Sequence, residues 1–269
     1  MAKKLFMLKL GGGIISDLSV QSKPLVSEIA RVLGEVREAK EIGGFDLIIG
    51  HGSGSFAHIP AHEYKVNEGL VNEQSRKGSA ITQQVAQELD RMIIAEGIRQ
   101  GLNLFQFVPS SFAISEGGIL VDGTTLHIKH ALEKGFIPVV YGDVMMDRQM
   151  GVSIASTETV FNFLAKAFKV DRFVLATDVD GVFDSDPRVN PNAVLISSIN
   201  GSNIGSLSEA ASINKSKVDV TGGMKTKLLG MYDMVTTSGT EGIIINGKVP
   251  GRIRDALTGK NVTGTIVRP

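Results

Sequence analysis

The sequence predicts an α/β fold, in which helices cover both faces of a mainly parallel β-sheet. Short apolar runs alternate along the 269 residues with longer segments of helical periodicity, which is the pattern of strand–helix–strand units. The run Leu47, Ile48 and Ile49 lacks polar alternation, as expected for a strand buried on both faces. Glycine-rich or polar turns follow four of the predicted strands, which predicts a ligand crevice at one edge of the sheet.

In the first half of the chain, glycine and proline mark the ends of the predicted elements. A strand at Leu5–Leu10 ends in three glycines, and Ser22 is expected to cap a helix that has Pro24 in its first turn. A second strand begins at Asp46. A long helix is predicted over 75–101, because its apolar residues recur along one face. A strand at 105–108 and a hairpin around 118–121 are expected to follow.

The second half continues the alternation of strands and helices. The predicted elements are a helix at 125–134, a strand at 136–141, an extended segment at 152–154, a helix capped by Ser156, a strand at 173–176, a turn-rich segment at 184–192, a helix opened by residues 221–223, and strands at 242–246 and 264–267. We expect these strands to share one sheet, so that residues 1–269 form a single domain.

The composition excludes several classes of function. Lys and Arg together number 28, as do Asp and Glu, so no overall charge favours nucleic acid or an acidic membrane surface. Cysteine is absent, which excludes disulfides, thiolate metal sites and a cysteine nucleophile. No apolar run approaches the roughly 20 residues of a membrane span, and the glycines near the N-terminus argue against a secretory signal. We therefore expect a cytoplasmic protein with small-molecule partners, and neither nucleic acid nor membrane as a partner. Four histidines have no spacing in common that would suit a metal site, and we interpret them as surface or structural residues. They are His51, His62, His127 and His130.

The segment 46–58, DLIIGHGSGSFAH, has the features of an anion site. Small residues after a buried strand allow the backbone to approach a phosphate closely and to direct N–H groups at it. A helix that starts just beyond adds the positive end of its dipole. Ordinary turns also contain such glycines, and Gly52 to Ala57 fits the dinucleotide fingerprint G-x-G-x-x-A. Pro60 argues against that fingerprint, because it falls where the following helix should continue, and no acidic-ended second strand follows.

Two lysines are candidate cations for such a site. Lys9 lies inside the first strand, so it either reaches a phosphate across the glycine turn or belongs to an edge strand and extends to water. Lys227 lies in the first turns of a predicted helix, with Lys225 nearby, where surface lysines are also common. The P-loop signature is absent, so any nucleotide is expected to be held without one.

Five motifs taken together resemble the amino acid kinase superfamily, and in particular its isopentenyl phosphate kinase branch. They are KLGG from Lys9, HGSGSFAH from His51, YGDV from Tyr141, TDVDGVF from Thr177 and DVTGGMKTK from Asp219, and they occur in this order across nearly the whole chain. The resemblance implies a three-layer α/β/α sandwich, with the phosphate acceptor on residues 1–170 and ATP on residues 171–269. It also implies ATP-dependent phosphorylation of isopentenyl phosphate to the diphosphate, Mg²⁺ held mainly by ATP oxygens, and a homodimer.

The same resemblance implies a role for each matching residue. The candidate catalytic residues are Lys9 and Lys227 beside the transferring phosphoryl group, His58 as a donor to the acceptor phosphate, and Glu158 holding the lysines in place. The residues implied to bind the acceptor are Gly52, Ser53, Gly54, His58, Gly142, Asp143 and Ser153. The residues implied to bind ATP are Lys9, Gly11, Gly12, Gly13, Gly54, Thr177, Asp178, Gly181, Phe183, Gly223, Lys225 and Lys227. Because the acceptor is already an ionised monophosphate, positioning and charge neutralisation matter more than a strong base.

The chain departs from the pattern of that branch at four positions. Leu18 stands where the branch has a lysine, Gly13 where serine is usual, and Ser53 where glycine is usual. Glu158 replaces the usual aspartate, although an acidic residue in a first helical turn also suits the helix dipole. Lys23 is a candidate for the missing cation. These departures keep open a different acceptor, such as another alkyl phosphate, a phosphonate or a carboxylate, and also a non-catalytic nucleotide sensor.

Overall fold

The computed structural model describes residues 3–187, 189–207 and 223–269, and its elements alternate as the sequence predicts. The strands are β1 (Leu5–Leu10), β2 (Asp46–His51), β3 (Leu104–Gln106), β4 (Ala113–Glu116), β5 (Ile119–Gly123), β6 (Ile137–Tyr141), β7 (Asp143–Asp147), β8 (Gly151–Ala155), β9 (Arg172–Thr177), β10 (Ser198–Ile199), β11 (Gly242–Asn246) and β12 (Gly264–Val267). The helices are α1 (Gly12–Ile15), α2 (Val26–Ile42), α3 (Gly54–Glu63), α4 (Glu73–Arg99), α5 (Pro109–Phe112), α6 (Leu126–Glu133), α7 (Thr157–Ala165), α8 (Gly223–Ser238) and α9 (Arg252–Leu257). None of these helices has the length and apolar character needed to cross a membrane.

Eight strands form the main sheet, in the order β10-β12-β11-β9-β1-β2-β6-β3. Among the described residues, β11 and β12 pair antiparallel, and the other neighbours in this sheet run parallel. Strand β1 is therefore interior, and Lys9 lies beside Gly50 of β2 and Leu175 of β9. The edge-strand position considered for Lys9 is wrong, because both edges of β1 are paired.

Side chains alternate across the main sheet and build a core on each face. Met7 packs on one face with Phe161 of α7 and Leu228 of α8. The next residue, Leu8, packs on the opposite face with Val32 of α2. Helices thus cover both faces, which confirms the predicted three-layer α/β/α sandwich.

A second sheet contains four strands in the order β5-β4-β7-β8. The sequence predicts that all strands share one sheet, and this prediction is wrong. Gly142 and Asp143 indicate a turn in the sequence, yet β7 begins at Asp143 and pairs antiparallel with β8. The predicted extended segment 152–154 lies within β8, and the predicted hairpin is formed by β4 and β5.

The start of α2 differs from the prediction. Ser22 does not cap a helix, because it adopts φ of 51° and α2 begins only at Val26. Pro24 instead forms an isolated antiparallel bridge with Ser16, which closes the loop between them. In contrast, Ser156 caps α7 as predicted, and its hydroxyl accepts from the backbone N–H of Thr159. The predicted helix start at residues 221–222 lies outside the described residues.

Pro60 lies inside α3 and does not end it. The argument against a dinucleotide fingerprint that was based on Pro60 is therefore wrong. Proline removes one N–H donor from the helix, but Phe56 and Ala61 of the same helix are buried, and this packing offsets the loss. The helix after the glycine-rich segment is thus stabilised mainly by its tertiary contacts.

Candidate active site

Four strand ends meet at one edge of the main sheet. Strands β9, β1, β2 and β6 are adjacent and parallel, so their carboxyl ends lie side by side. Residues 11–13, which we call the first glycine turn, follow β1. Residues 52–55, which we call the second glycine loop, follow β2. The four strand ends predicted to carry polar or glycine-rich turns are therefore brought together in the fold.

The first glycine turn and the second glycine loop touch through backbone atoms. A Cβ atom added to Gly12 would lie 2.6 Å from Cα of Gly54, and one added to Gly52 would lie 2.9 Å from the nitrogen of Gly12. Gly54 adopts φ of +48°, and a Cβ there would overlap the Ser16 hydroxyl. Glycine is therefore required at these positions for the two backbones to approach each other.

Ser16 links the two segments, and the sequence analysis did not single it out as a functional residue. Its hydroxyl donates to the carbonyl of Gly12 at 2.9 Å and accepts from the N–H of Ser55 at 3.1 Å. The side chain is buried. The available signal was a serine four residues after Gly12, because this spacing allows the hydroxyl to bond back to a helical carbonyl.

Lys9 of the interior strand β1 forms a buried ion pair with Glu158 of α7. Lys9 Nζ donates to Glu158 Oε1, and the two side chains are 9% and 6% exposed. Glu158 lies in the first turn of α7. Burial favours the neutral carboxyl, but the charges of Lys9 and Lys227 and the hydrogen bond from Lys9 outweigh it and hold the pKa of Glu158 below its usual range. Glu158 is therefore ionised at neutral pH.

Lys227 approaches the same carboxylate from α8. It is half-buried, and its charge contributes to the lowered pKa of Glu158. Three residues later on the same helix, a Cβ atom added to Gly230 would lie 2.9 Å from Cβ of Glu158, so α8 packs closely on α7 here. Lys9 and Lys227 are thus placed around one carboxylate, and the three groups carry one net positive charge. That balance suits an anionic ligand.

The lowered pKa of Glu158 predicts that the protein loses stability in acid. Because its folded-state pKa lies below the ordinary value of 4.5, its contribution to stability is complete above about pH 4.5 and is lost as the pH falls through the folded-state pKa. We expect the Tm of the wild type to fall more steeply in this acidic range than that of the double variant Lys9→Met/Glu158→Gln. Scanning calorimetry from neutral pH downward measures the two slopes, and equal slopes would contradict the assignment.

The side chains implied to bind the acceptor make hydrogen bonds to different parts of the fold. Ser53 Oγ donates to the carbonyl of Gly142 at 3.2 Å, which joins the second glycine loop to the end of β6. Asp143 is buried, and its carboxylate accepts from the N–H groups of Ser110 at 3.0 Å and Val144 at 2.8 Å. Burial raises the pKa of Asp143, and these hydrogen bonds oppose that shift. The Asp143 carboxylate therefore holds the start of α5 and β7.

Ser153 and His58 lie on different elements. Ser153 belongs to β8 of the second sheet, where its hydroxyl lies 2.7 Å from the hydroxyl of Ser115. His58 begins the second turn of α3, four residues after Gly54, and is half-buried. Of the two, His58 lies on the helix that the second glycine loop enters.

The end of β9 borders the first glycine turn. The carboxylate of Asp178 lies 3.6 Å from the position of a Cβ atom added to Gly13. Thr177 Oγ1 donates to the carbonyl of Val179 at 2.9 Å, which turns the chain after the strand. These contacts place the TDVDGVF motif beside the glycines implied to bind ATP.

The remaining residues implied to bind ATP lie after β9 and at the start of α8. A Cβ atom on Gly181 would lie 2.5 Å from Thr265 Oγ1, so the chain passes close to β12 at this point. Phe183 forms an isolated bridge with Leu195. Gly223 is the first residue of α8, and Lys225 lies in its first turn.

Leu18 and Lys23 occupy the loop after α1. Leu18 Cδ1 lies 3.3 Å from the position of a Cβ atom added to Gly13, so an apolar side chain borders the first glycine turn. Lys23 Nζ lies 3.0 Å from Asp17 Oδ2, and both side chains are at least partly exposed. In this structure Lys23 is paired within its own loop.

The described residues contain no group of three or more His, Asp or Glu side chains that could hold a metal ion.

Comparison with known proteins identifies the family of the chain. The model of the amino acid kinase family matches residues 4–246. An isopentenyl phosphate kinase from Methanothermobacter thermautotrophicus is 33% identical over 98% of each chain. Another from Thermoplasma acidophilum is 32% identical over 98% of this chain and 100% of its own length. A solved structure of an isopentenyl phosphate kinase has a TM-score of 0.82 and 29% identity, and covers 98% of this chain and 99% of that one. These findings confirm the resemblance inferred from the five motifs, and the chain belongs to the amino acid kinase family.

Proposed function

We propose that the chain catalyses the ATP-dependent phosphorylation of isopentenyl phosphate to isopentenyl diphosphate. The observation that carries the proposal is the convergence of Lys9 and Lys227 on Glu158, at the edge of the sheet where the two glycine segments meet. The similarity to isopentenyl phosphate kinases over almost the entire chain supports the choice of acceptor.

The reaction transfers one phosphoryl group in line. An oxygen of the acceptor phosphate forms a bond to the γ-phosphorus of ATP, while the bond to the β–γ bridging oxygen breaks and ADP leaves with the electron pair. Lys9 and Lys227 neutralise charge on the transferring group. An ammonium about 4 Å from a phosphate oxygen gains about 4 kcal/mol at an effective dielectric constant of about 20, before desolvation. Glu158 keeps both ammonium groups in position.

The two substrates occupy opposite sides of the paired glycine segments. The acceptor phosphate lies on the second glycine loop, with His58 as a donor, and the acceptor half of the chain is residues 1–170. The ATP phosphates lie on the first glycine turn, with Asp178 and the residues after it beside the nucleotide, and the nucleotide half is residues 171–269. Gly54 lies between the substrates, where its contact with Gly12 leaves no room for a side chain.

Three further features belong to this proposal. Mg²⁺ would be held mainly by the oxygens of ATP, as the resemblance implies, and would neutralise phosphate charge there. The resemblance to the kinase branch supports a homodimer. The absence of cysteine is compatible with the reducing cytoplasm as the site of action.

Release of ADP in the presence of different acceptors tests the proposal. We expect the highest kcat/KM with isopentenyl phosphate, and lower values with another alkyl phosphate, a phosphonate and a carboxylate. Lys227→Ala should lower kcat about 10²-fold or more, because it removes charge stabilisation from the transition state. Lys129→Ala, at an exposed position of α6, is the matched control and should retain wild-type kcat.

The outcomes of this assay are distinct. Turnover confined to a carboxylate would replace the isoprenoid acceptor within the same family. ATP binding with no turnover on any acceptor would indicate a nucleotide sensor. Wild-type turnover in Lys227→Ala would exclude Lys227 from the reaction.

A further inference from the structure

A buried histidine lies directly behind the second glycine loop. His51 ends β2 on the face of the sheet that α4 covers, and neither His51 nor Asp90 of α4 has any exposed side-chain surface. His51 Nε2 lies 2.9 Å from Asp90 Oδ1. Gln106 Nε2 donates to the other carboxylate oxygen of Asp90 at 2.6 Å. The interpretation of His51 as a structural residue agrees with its burial, but it does not account for this set of polar contacts.

Both ring nitrogens of His51 face acceptor atoms. Besides the contact of Nε2 with Asp90, Nδ1 lies 3.2 Å from the carbonyl oxygen of Gly52. A carbonyl and an ionised carboxylate only accept hydrogen bonds, and a neutral imidazole has only one N–H. With Asp90 ionised, both contacts are satisfied together only when the ring is an imidazolium with a proton on each nitrogen.

The surroundings of the ring favour a positive charge. Tyr141 stacks on His51, with ring centroids 5.4 Å apart and an angle of 22° between the planes. An aromatic face stabilises a cation at this distance. Burial raises the pKa of Tyr141, and the charges of Asp143 on β7 and Asp90 raise it further, while the Gln87 side chain and the charge of Arg91 oppose the shift, so the phenol is neutral.

The contact with Gly52 determines the direction of the next peptide group. The described residues contain no cis peptide bond, so the C=O of Gly52 and the N–H of Ser53 point in opposite directions. Because the carbonyl is held toward the His51 ring, the N–H of Ser53 points away from it. Within the described part of the chain, the N–H groups of Ser53 and Gly54 have no protein acceptor. They lie at the start of α3, where unpaired donors favour an anion.

We propose that His51 is a positioning residue for the acceptor phosphate. Its imidazolium, held by Asp90, fixes the Gly52–Ser53 peptide so that the N–H of Ser53 donates to the phosphate. This inference depends on the proposed function for the identity of the acceptor. The charge of the ring and the direction of the peptide group do not depend on that identity.

Two substitutions separate the two contacts of the ring. His51→Gln retains an amide donor near the position of Nε2 and loses the donor to Gly52. His51→Asn retains a donor near the position of Nδ1 and loses the one to Asp90. We expect His51→Gln to raise the KM for isopentenyl phosphate about fivefold to tenfold, more than His51→Asn does, with the KM for ATP unchanged. The Tm should fall further in His51→Asn, because Asp90 then loses its charged partner.

The matched control is His127→Gln, at an exposed position of α6, which should leave both KM values and the Tm unchanged. If the two His51 variants raise both KM values in proportion to their loss of Tm, the residue is merely structural and the proposal is overturned. A larger rise in acceptor KM for His51→Asn than for His51→Gln would also overturn it.

Ring nitrogen NMR on the full ligand-free chain tests the charge directly. The His51 signals are assigned by their loss in His51→Gln, and both ring nitrogens are expected to carry protons at neutral pH. A ring nitrogen without a proton would overturn the inference. Calorimetric titration with inorganic phosphate then separates this inference from the proposed function. Equal phosphate affinity in the wild type and His51→Gln overturns the positioning role. Weaker phosphate binding in His51→Gln supports it, even if isopentenyl phosphate proves not to be a substrate.

Discussion

Lys9→Met is expected to lower kcat about 10³-fold, because it removes a cation from the centre of the proposed phosphoryl transfer. Methionine retains the apolar length of the lysine stem, so the interior strand β1 keeps its packing while the charge is lost. Glu158 would remain near Lys227 but would lose its hydrogen-bonded partner. Breaking a buried ion pair in this way should reduce the free energy of unfolding by about 3–5 kcal/mol. Steady-state kinetics and denaturant unfolding measure the two effects.

The double variant Lys9→Met/Glu158→Gln separates catalysis from folding. It removes both charges of the pair, so most of the lost stability should return, because no uncompensated charge is buried. The kcat should remain low, since the cation is still absent. Recovery of kcat along with stability would show that Lys9 acts only through the fold.

Gly54→Ala is expected to lower kcat/KM about 10²-fold or more. The added methyl group would enter the space of Ser16 and of the Gly12 carbonyl, and alanine is strained at the φ of +48° found there. The two glycine segments must then separate, and a displacement of about 1 Å between reacting groups is enough for a loss of this size. Strain of this kind should also cost about 1–3 kcal/mol of stability. Kinetics at varied concentrations of each substrate, together with thermal unfolding, test both effects.

Gly44→Ala is the matched control for this substitution. Gly44 is exposed, and a Cβ atom there would meet nothing within 4 Å. Its stability should stay within about 0.5 kcal/mol of the wild type, and its kinetics should not change. If Gly54→Ala behaves like Gly44→Ala, the close approach of the two backbones is not needed for transfer.

Features encoded by a few neighbouring residues were predictable from the sequence. The serine cap of α7, the long helix α4 and the alternation of buried strands with helices follow from local patterns, and the structure confirms them. Local patterns failed where packing decides the outcome. Ser22 is a good cap in isolation, yet the bridge between Ser16 and Pro24 delays the helix until Val26. Strand β7 was missed because its first residues also suit a turn.

The candidate site depends on contacts between residues that are distant in the chain. Lys9 and Glu158 are separated by 149 positions, and His51 and Asp90 by 39. No spacing rule links such pairs, so only the resemblance to a family suggested a role for Glu158. His51 had no such support, because a single histidine at the end of a strand carries no pattern. The main sheet determines which of these residues meet, since each pair joins a strand to a helix that covers one of its faces.

For the proposed reaction, the pairing of β1 with β2 has a further consequence. The segments proposed to hold the phosphate donor and the acceptor follow β1 and β2. These two strands are hydrogen-bonded neighbours, and such strands lie about 4.7–4.9 Å apart. In the proposed reaction, the spacing between these two segments is therefore set by the backbone ladder of the main sheet.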